Sequence, residues 1–230
     1  MNIQGLQKLT LLDYPGVVAC TVFAGGCNFR CPFCHNASLV LTPDSESGIT
    51  YEDFFTFLKK RKGALDGVCI TGGEPLMQSD IHNFITEIKA LGYKVKLDTN
   101  GSFPERLIKL IDSGMLDYVA MDIKNSPKYY AKTAGKEIID IDAVKESAKK
   151  LMTGSLPFEF RTTLVRTFHT EDSIRSIGLW LKGEEKYFLQ NFVDSGNLIE
   201  SGLCGFSEKE SRYLLDILRI YVPNAALRGF

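Results

Sequence analysis

Three cysteines lie close together in the first part of the chain. Cys27, Cys31 and Cys34 follow a C-x3-C-x2-C spacing. A loop this short can present three thiolates to three irons of a cubane, and iron–sulfur clusters normally take four such ligands. A missing fourth ligand leaves one iron open to a substrate, as catalytic zinc sites keep one position open. The spacing therefore predicts a [4Fe–4S] cluster with an open iron.

Two other interpretations of the cysteine loop stay open at this level. A zinc ion could recruit His82 or His169 as a fourth ligand, which would make the protein a non-catalytic zinc or cluster-binding module. Zinc sites usually pair their cysteines at two separated places, however. His35 directly follows Cys34 and is awkwardly placed to join the same tetrahedron. The thiols could also simply be packed side chains.

The remaining cysteines give no support to a disulfide framework. Cys20 and Cys69 lie in apolar strand contexts and read as small buried hydrophobes, and Cys204 stands alone before the last helix. Six cysteines in 230 residues is far below the density of a disulfide scaffold. Grouped cysteines of this kind favour a metal site in a reducing compartment.

Overall charge and hydropathy exclude some classes of partner. The chain has 27 basic and 28 acidic residues, a net charge of −1, so nucleic-acid binding is not expected. No apolar run reaches the 18 or so residues of a membrane span. No basic segment followed by an apolar one marks a secretory signal. We therefore expect a cytoplasmic protein that does not associate with membranes.

Short β-rich runs alternate with amphipathic helical runs along the whole chain. The predicted strands span residues 17–24, 67–71, 94–97, 118–121, 158–164 and 186–189. They are nearly continuously apolar or β-branched, as parallel strands buried on both faces are. Six βα units without a linker predict one α/β domain over residues 1–230, either a doubly wound sheet or an incomplete barrel. No G-x-G-x-x-G opens the first helix, which weakens the dinucleotide-binding version.

Unusual polar residues follow every predicted strand. These segments are Gly25-Gly26-Cys27, Thr71-Gly72-Gly73-Glu74, Asp98-Thr99-Asn100-Gly101, Asp122-Ile123-Lys124, Arg161 to Arg166, and Gln190-Asn191. In a barrel the carboxyl ends of all strands share one rim, where barrel enzymes assemble their sites. The pattern predicts an enzyme.

The cysteine spacing is similar to the signature of the radical S-adenosylmethionine (SAM) superfamily. The sequence PFCHN at 32–36 and the sequence DYPG at 13–16 resemble the glycyl-radical-enzyme activating enzymes. Within these, the chain resembles the anaerobic ribonucleoside-triphosphate reductase activating proteins, relatives of the pyruvate formate-lyase activating enzyme. The resemblance covers essentially the whole chain.

The resemblance implies a fold, two cofactors and a reaction. The fold is a partial (β/α)6 TIM-like barrel of the radical SAM type. SAM would bind the open iron of the [4Fe–4S] cluster and be cleaved to a 5′-deoxyadenosyl radical. That radical would take a hydrogen from a glycine of a partner enzyme, and flavodoxin or ferredoxin would supply the electron. A small-molecule substrate such as a deazapurine precursor, or a ribosomal peptide, is the alternative.

The resemblance also assigns roles to residues at the rim. Phe33 would contact adenine, and Gly72, Gly73 and Glu74 would bind the methionyl amino group, although an ordinary βα turn has the same composition. Lys124 and Arg161 would contact the SAM carboxylate, and Thr163 would lie near adenine.

Two further assignments at the rim are weaker. Asp98, Thr99 and Asp122 would hold a monovalent cation beside SAM, since oxygen ligands suit a hard cation, but a plain Asx turn explains Asp98 equally well. Gln190 could add a polar group, and Phe192 stands where the pyruvate formate-lyase relative has histidine. His82 and His169 lie at predicted helix starts, where we expect surface side chains.

Overall fold

A computed structural model of the chain describes residues 1–43, 48–183, 186–194 and 196–229. One eight-stranded sheet runs through it, with the strands hydrogen-bonded in sequence order. The strands are β1 (Ile3–Thr10), β2 (Ala19–Ala24), β3 (Gly67–Gly72), β4 (Lys94–Thr99), β5 (Tyr118–Asp122), β6 (Phe158–Leu164), β7 (Tyr187–Asn191) and β8 (Ala226–Arg228). Strand β1 is antiparallel to β2, and every later pair is parallel.

Helices fill the connections between the strands. They are α1 (Ala37–Leu41), α2 (Tyr51–Lys60), α3 (Ile81–Ala90), α4 (Pro104–Asp112), α5 (Tyr130–Thr133), α6 (Ile141–Thr153), α7 (Glu171–Trp180) and α8 (Glu208–Arg219), with short 3-10 turns at Pro75–Met77 and Pro127–Tyr129. Thr50, Thr170 and Ser207 accept the hydrogen bonds that begin α2, α7 and α8. Such caps satisfy backbone donors that the first helical turn leaves unpaired.

The six predicted strands are confirmed, and the sheet continues beyond them on both sides. Strand β1 was not predicted because its sequence, IQGLQKLT, neither alternates nor stays apolar. Strand β8 has only three residues, too few to give a pattern. The partial barrel is thus wider than six strands, and β1 and β8 form its two edges.

The two faces of the sheet differ sharply in chemistry. On β4, Val95 and Leu97 are fully buried in the hydrophobic core that the helices cover. Lys96 and Asp98 alternate with them and face the inside of the barrel, because successive side chains point to opposite faces of a strand. The barrel interior is consequently polar. The nearly continuous apolar runs that predicted the strands do not indicate this.

The amino end of the barrel is closed by side chains. Tyr14, from the β1–β2 connection, packs against Ala19 and Tyr118 at the starts of β2 and β5. Glu159 of β6 is 2% exposed and is paired with Arg228 of β8. These contacts fill the barrel interior at the amino ends of β2, β5 and β6. In the part of the chain that the structure describes, no helix is long and apolar enough to span a bilayer.

Candidate functional site

A cavity of about 450 Å³ opens at the carboxyl ends of the parallel strands. It is lined by Asp13, Cys27, Phe29, Cys31, Phe33, Cys34, His35, Asn36, Val40, Thr71, Gly72, Gly73, Asp98, Thr99, Asn100, Asp122, Lys124, Arg161, Thr163 and Gln190. A depression of similar size, about 460 Å³, lies at the amino ends and has turn residues but no cysteine in its lining. The polar strand ends and the cysteine loop thus meet in one place.

The cysteine loop connects β2 to α1 and is held from outside by the segment after α5. The backbone N–H of Arg30 donates to Ala134 O at 2.9 Å. Gly135 has φ +65°, and a Cβ there would lie 1.9 Å from the Arg30 carbonyl oxygen, so only glycine allows this approach. Phe29 packs edge-on against Tyr130 with ring centroids 6.5 Å apart. The loop is therefore built into the barrel wall.

The three thiols suit a cluster better than a single ion. Burial raises the pKa of Cys27 to about 11 and that of Cys31 to about 12, so these thiols bind metal only by releasing protons. Among the described residues, no three Cys, His, Asp or Glu side chains are close enough to hold one metal ion. In a cubane each thiolate ligates a different iron, and three thiols that line one cavity suit such a [4Fe–4S] cluster.

The histidines do not complete a zinc site with these cysteines. His35 Nε2 lies 2.8 Å from the Val193 carbonyl oxygen, and its ring packs on Phe192. His169 is 2% exposed, so the expectation that it lies on the surface is wrong. Its Nδ1 accepts from the backbone N–H of Val165, and its Nε2 lies 2.9 Å from the Lys124 carbonyl oxygen. Burial lowers the pKa of His169, so the ring is neutral and links two rim segments.

The lone cysteines lie outside the cavity lining. Cys20 and Cys69 are buried in strands, as predicted, and Cys204 is exposed. Among the residues that the structure describes, the cavity therefore offers three thiols and no fourth, which matches a cluster with one open iron.

The glycine turn after β3 is packed against the start of the cysteine loop. Gly72 has φ +116°, and a Cβ on Gly73 would lie 1.9 Å from the Gly26 carbonyl oxygen. The backbone N–H of Glu74 donates to that same oxygen at 2.8 Å. The two glycines line the cavity because no side chain stands between their backbone and its space.

Glu74 itself lies beneath the cavity and is absent from its lining. The side chain is 0% exposed. Oε1 accepts from the Leu76 N–H at 3.0 Å and the Thr99 hydroxyl at 2.8 Å, and Oε2 accepts from the Asn100 N–H at 2.7 Å. Burial raises the pKa of Glu74 to about 7 although these hydrogen bonds oppose the shift. The carboxylate joins the turn after β3 to the turn after β4.

A row of five alternating charges crosses the cavity floor. Lys96 pairs with Asp98, and Asp98 Oδ2 accepts from Arg161 Nη1 at 3.1 Å. Arg161 Nε donates to Asp122 Oδ1 at 2.9 Å, and Lys124 Nζ lies 3.1 Å from Asp122 Oδ2. Burial alone raises the pKa of Asp122, but Arg161 and Lys124 outweigh it and bring the pKa down to about 2. All five groups are therefore charged, with three cations against two carboxylates.

The oxygens predicted to bind a monovalent cation already have partners. Asp98 and Asp122 share the Arg161 guanidinium, and the Thr99 hydroxyl points down to Glu74. A cation at this position has to compete with Arg161, so it stays a prediction.

The rim side chains from β6 and β7 complete the wall. Thr163 and Gln190 are neighbours in the β6–β7 register, and both line the cavity. Phe33 is 5% exposed and packs on Phe168 at 5.8 Å between centroids. Phe192, in place of a histidine, packs on His35 and so supports the cysteine loop. The structure thus brings every predicted site residue except Glu74 to the cavity surface.

Sequence reasoning missed two features of the site. Nothing in the sequence pattern singled out Lys96, and only the structure shows that it is buried and paired with Asp98. Asn100 donates to Asn28 Oδ1 at 2.9 Å, and Asn28 donates to Ser102 Oγ at 2.9 Å, which ties the cysteine loop to the turn after β4. The polar segment at 98–101 indicated that hydrogen bonds form here. The spacing of residues did not indicate that the cysteine loop is the partner.

The geometry fits an iron–sulfur cluster at the open end of a partial barrel, and the sequence comparison agrees. The profile of the Radical SAM superfamily matches residues 21–177. The chain belongs to this superfamily. It is a radical SAM enzyme, and the family uses a [4Fe–4S] cluster and SAM.

Individual relatives narrow the comparison. A protein of Methanocaldococcus jannaschii, named provisionally as a glycyl-radical enzyme activating enzyme, is 31% identical over 98% of this chain and 95% of its own length. The pyruvate formate-lyase-activating enzyme of Listeria monocytogenes is 32% identical over 59% of this chain and 58% of its own length.

Solved structures share the fold. Streptococcus suis SuiB superposes with a TM-score of 0.70 at 16% identity, covering 91% of this chain and 49% of SuiB. A structure of TYW1 with a lysine–pyruvate adduct gives a TM-score of 0.62 at 12% identity, over 89% of this chain and 74% of TYW1. At these identities the likeness concerns the fold alone, and it agrees with the predicted partial barrel.

Proposed function

We propose that this enzyme generates a 5′-deoxyadenosyl radical and uses it to install a glycyl radical on a partner protein. The observation that carries the proposal is similarity to the M. jannaschii protein along 98% of this chain and 95% of that one. Relatives that act on small molecules match much shorter stretches. The 7-carboxy-7-deazaguanine synthase of Hyperthermus butylicus, for example, covers 45% of this chain.

The residues of the cavity fit both cofactors. Cys27, Cys31 and Cys34 would hold three irons of the cluster, with no fourth thiol in the described lining. When bound, the reduced cluster and SAM together supply the 5′-deoxyadenosyl radical and methionine. No residue of the chain has to act as acid or base in that step. The task of the protein is to position the cofactors and to exclude water.

The methionyl end of SAM would lie between the glycine turn and the charge row. The backbone of Gly72 and Gly73 would face the ammonium group, and Lys124 and Arg161 would face the carboxylate. Glu74 would act one layer below, by holding the two turns that form the floor. Phe33, Thr163 and Gln190, which line the same cavity, would contact the adenosyl end. A partner's glycine loop would enter from the rim.

The reaction needs an electron donor, and one surface beside the cysteine loop suits an acidic carrier such as flavodoxin or ferredoxin. Arg30, Lys128, Lys132 and Lys136 are exposed there, and the segments 27–43 and 125–136 contain no acidic residue. The Arg30 backbone bonds to Ala134, which joins the two segments. Complementary charge speeds the encounter of such partners.

The main test measures products in order. Anaerobically reconstituted protein is expected to contain about four irons per chain and, once its cluster is reduced by dithionite, to convert SAM to 5′-deoxyadenosine. With the correct partner it should then give a glycyl-radical doublet in the EPR spectrum. Cys31→Ala should abolish iron loading, whereas the exposed Cys204→Ala should retain it. Stoichiometric zinc without iron contradicts the radical chemistry in this protein, and SAM cleavage with no doublet from any partner contradicts the glycyl-radical step.

The electron-donor surface has its own test with a matched control. Lys128→Glu, Lys132→Glu and Lys136→Glu together should slow cluster reduction by flavodoxin about tenfold and leave reduction by dithionite unchanged. The same charge change at Lys59, Lys60 and Lys62, near the amino end of the barrel, should have little effect. Equal slowing by both triple variants would refute this docking surface.

The second candidate is a small-molecule substrate. It is favoured by the 34% identity to the deazaguanine synthase over the segment that the two share. Anaerobic capture of a binding partner from the cell extract separates the candidates if the captured protein then acquires the glycyl-radical doublet, because neither an electron carrier nor a small-molecule substrate gives that signal.

A further inference from the structure

Lys96 is a charged residue in a place where the fold needs none. Its side chain is 1% exposed and is among the largest fully buried side chains of the protein. It lies in β4, whose neighbours on the other face are fully buried apolar residues. Moving an ammonium group out of water costs several kcal/mol unless it is paired. The pairing with Asp98 offsets that cost, but an apolar residue in place of Lys96 would avoid it.

The position of Lys96 determines what it does. It lies two residues before Asp98 on the same strand, so its ammonium group reaches Asp98 from below, on the side away from the cavity. Lys96 takes Oδ1 of Asp98, and Arg161 takes Oδ2. A weaker contact joins Lys96 Nζ to Cys69 Sγ at 3.8 Å. Lys96 does not line the cavity, so it acts on a ligand only through Asp98.

Lys96 is the one cation of the row that does not line the cavity, and its charge makes the difference between a neutral and a positive row. Lys96, Arg161 and Lys124 carry three positive charges against those of Asp98 and Asp122, a net of +1. Glu159, the next carboxylate below, has its own bidentate partner in Arg228. Without Lys96 the row has no net charge. The positive charges of Arg161 and Lys124 are then fully balanced by the two carboxylates.

We propose that Lys96 is a positioning residue for SAM binding: by neutralising Asp98 from beneath, it leaves Arg161 and Lys124 with the net positive charge that receives the carboxylate of the ligand. The inference rests on the proposed SAM contacts of Arg161 and Lys124. It does not depend on the glycyl-radical partner, because its test measures equilibrium binding.

The test compares Lys96→Met with the double variant Lys96→Met/Asp98→Asn in cluster-loaded protein under anaerobic conditions. The single variant makes the row neutral, and the dissociation constant for SAM should rise about tenfold, as expected for removal of one nearby charge. The double variant restores the net charge of +1, and binding should return to within about threefold of wild type. Iron content and the temperature of unfolding report whether each variant folds.

A pair of ligands separates the charge effect from general damage to the site. S-adenosylhomocysteine keeps the carboxylate, so Lys96→Met should weaken its binding as well. 5′-Methylthioadenosine lacks the carboxylate, and its binding should not change. Wild-type affinity in the single variant overturns the proposal, and so does a double variant as weak as the single one. If the single variant fails to fold, the double variant decides alone, since low SAM affinity in it with full iron content overturns the proposal.

Discussion

Replacing Glu74 by glutamine distinguishes direct contact with the ligand from support of the turns after β3 and β4. The substitution can do so because the carboxylate lies beneath the cavity and accepts three hydrogen bonds. In Glu74→Gln one side-chain oxygen can still serve Leu76 and Thr99, but the new amide N–H₂ faces the Asn100 N–H. A buried donor left without an acceptor costs about 1–3 kcal/mol. At about 2–4 °C per kcal/mol for a chain of this size, a loss of ~2 kcal/mol lowers the temperature of unfolding by roughly 4–8 °C.

The assay is thermal unfolding of the cluster-free protein, with Glu87→Gln as the control. Glu87 is exposed on α3 and accepts one hydrogen bond from the Tyr51 hydroxyl at 2.7 Å. Its replacement should change stability by about 0.5 kcal/mol or less. The affinity of Glu74→Gln for SAM should fall only if the substitution displaces the turns after β3 and β4.

The pH dependence adds a second readout for Glu74. Its pKa in the folded protein, about 7, is above the ordinary value of 4.5. A carboxyl group with a raised pKa favours folding at low pH, and this contribution is lost as the pH rises from 4.5 through 7. The stability difference between wild type and Glu74→Gln should therefore narrow between pH 5 and pH 8. If Glu74→Gln is as stable as wild type at every pH but binds SAM much more weakly, the structural role is refuted. Glu74 then contacts the ligand directly.

Three further predictions follow from the site. The lowered pKa of His169 means that its contribution to stability is complete above pH 6.5 and is lost as the pH falls below that value. His169→Gln should therefore flatten the urea-unfolding profile between pH 7 and 5. Replacing K⁺ by tetramethylammonium should leave SAM affinity within about twofold, because Arg161 already bridges both carboxylates; a tenfold loss would instead establish the cation site. Gly73→Ala should cost about 1–3 kcal/mol and weaken SAM binding at least tenfold, whereas Gly5→Ala, where the added Cβ would lie 3.4 Å from the Phe23 ring, should change neither, as unfolding and binding titrations would show.

Much of the fold and of the site could be predicted from local sequence patterns. Nearly continuous apolar runs locate the six central strands, because parallel strands are buried on both faces. The three cysteines define the loop that faces the cavity, and polar residues at strand ends identify the rim. Edge strands β1 and β8 carry no such pattern, since each has only one strand neighbour and is partly exposed.

The errors concern side chains whose environment is set by distant parts of the chain. His169 directly precedes the Thr170 cap of α7, where a polar residue is normally exposed, but its ring is enclosed because the segment at Lys124 lies against it. Glu74 sits in a motif that suggests ligand contact, and its actual partners come from the turn after β4. Lys96 pairs with Asp98 on its own strand, but the row that they belong to continues to Arg161, 65 residues after Lys96, so no local window contains the information.

The charge row has a consequence for folding fidelity as well. Parallel strands made of uniform apolar residues specify their alignment weakly, because a shift exchanges one aliphatic side chain for another. In β4, β5 and β6 a slip of one residue would turn Asp98, Asp122 and Arg161 toward the helices, into hydrocarbon. Such a misaligned sheet would bury unpaired charges on three adjacent strands. The ion pairs that form the cavity floor therefore also stabilise the native strand alignment over misaligned ones, and they do so before any cofactor is bound.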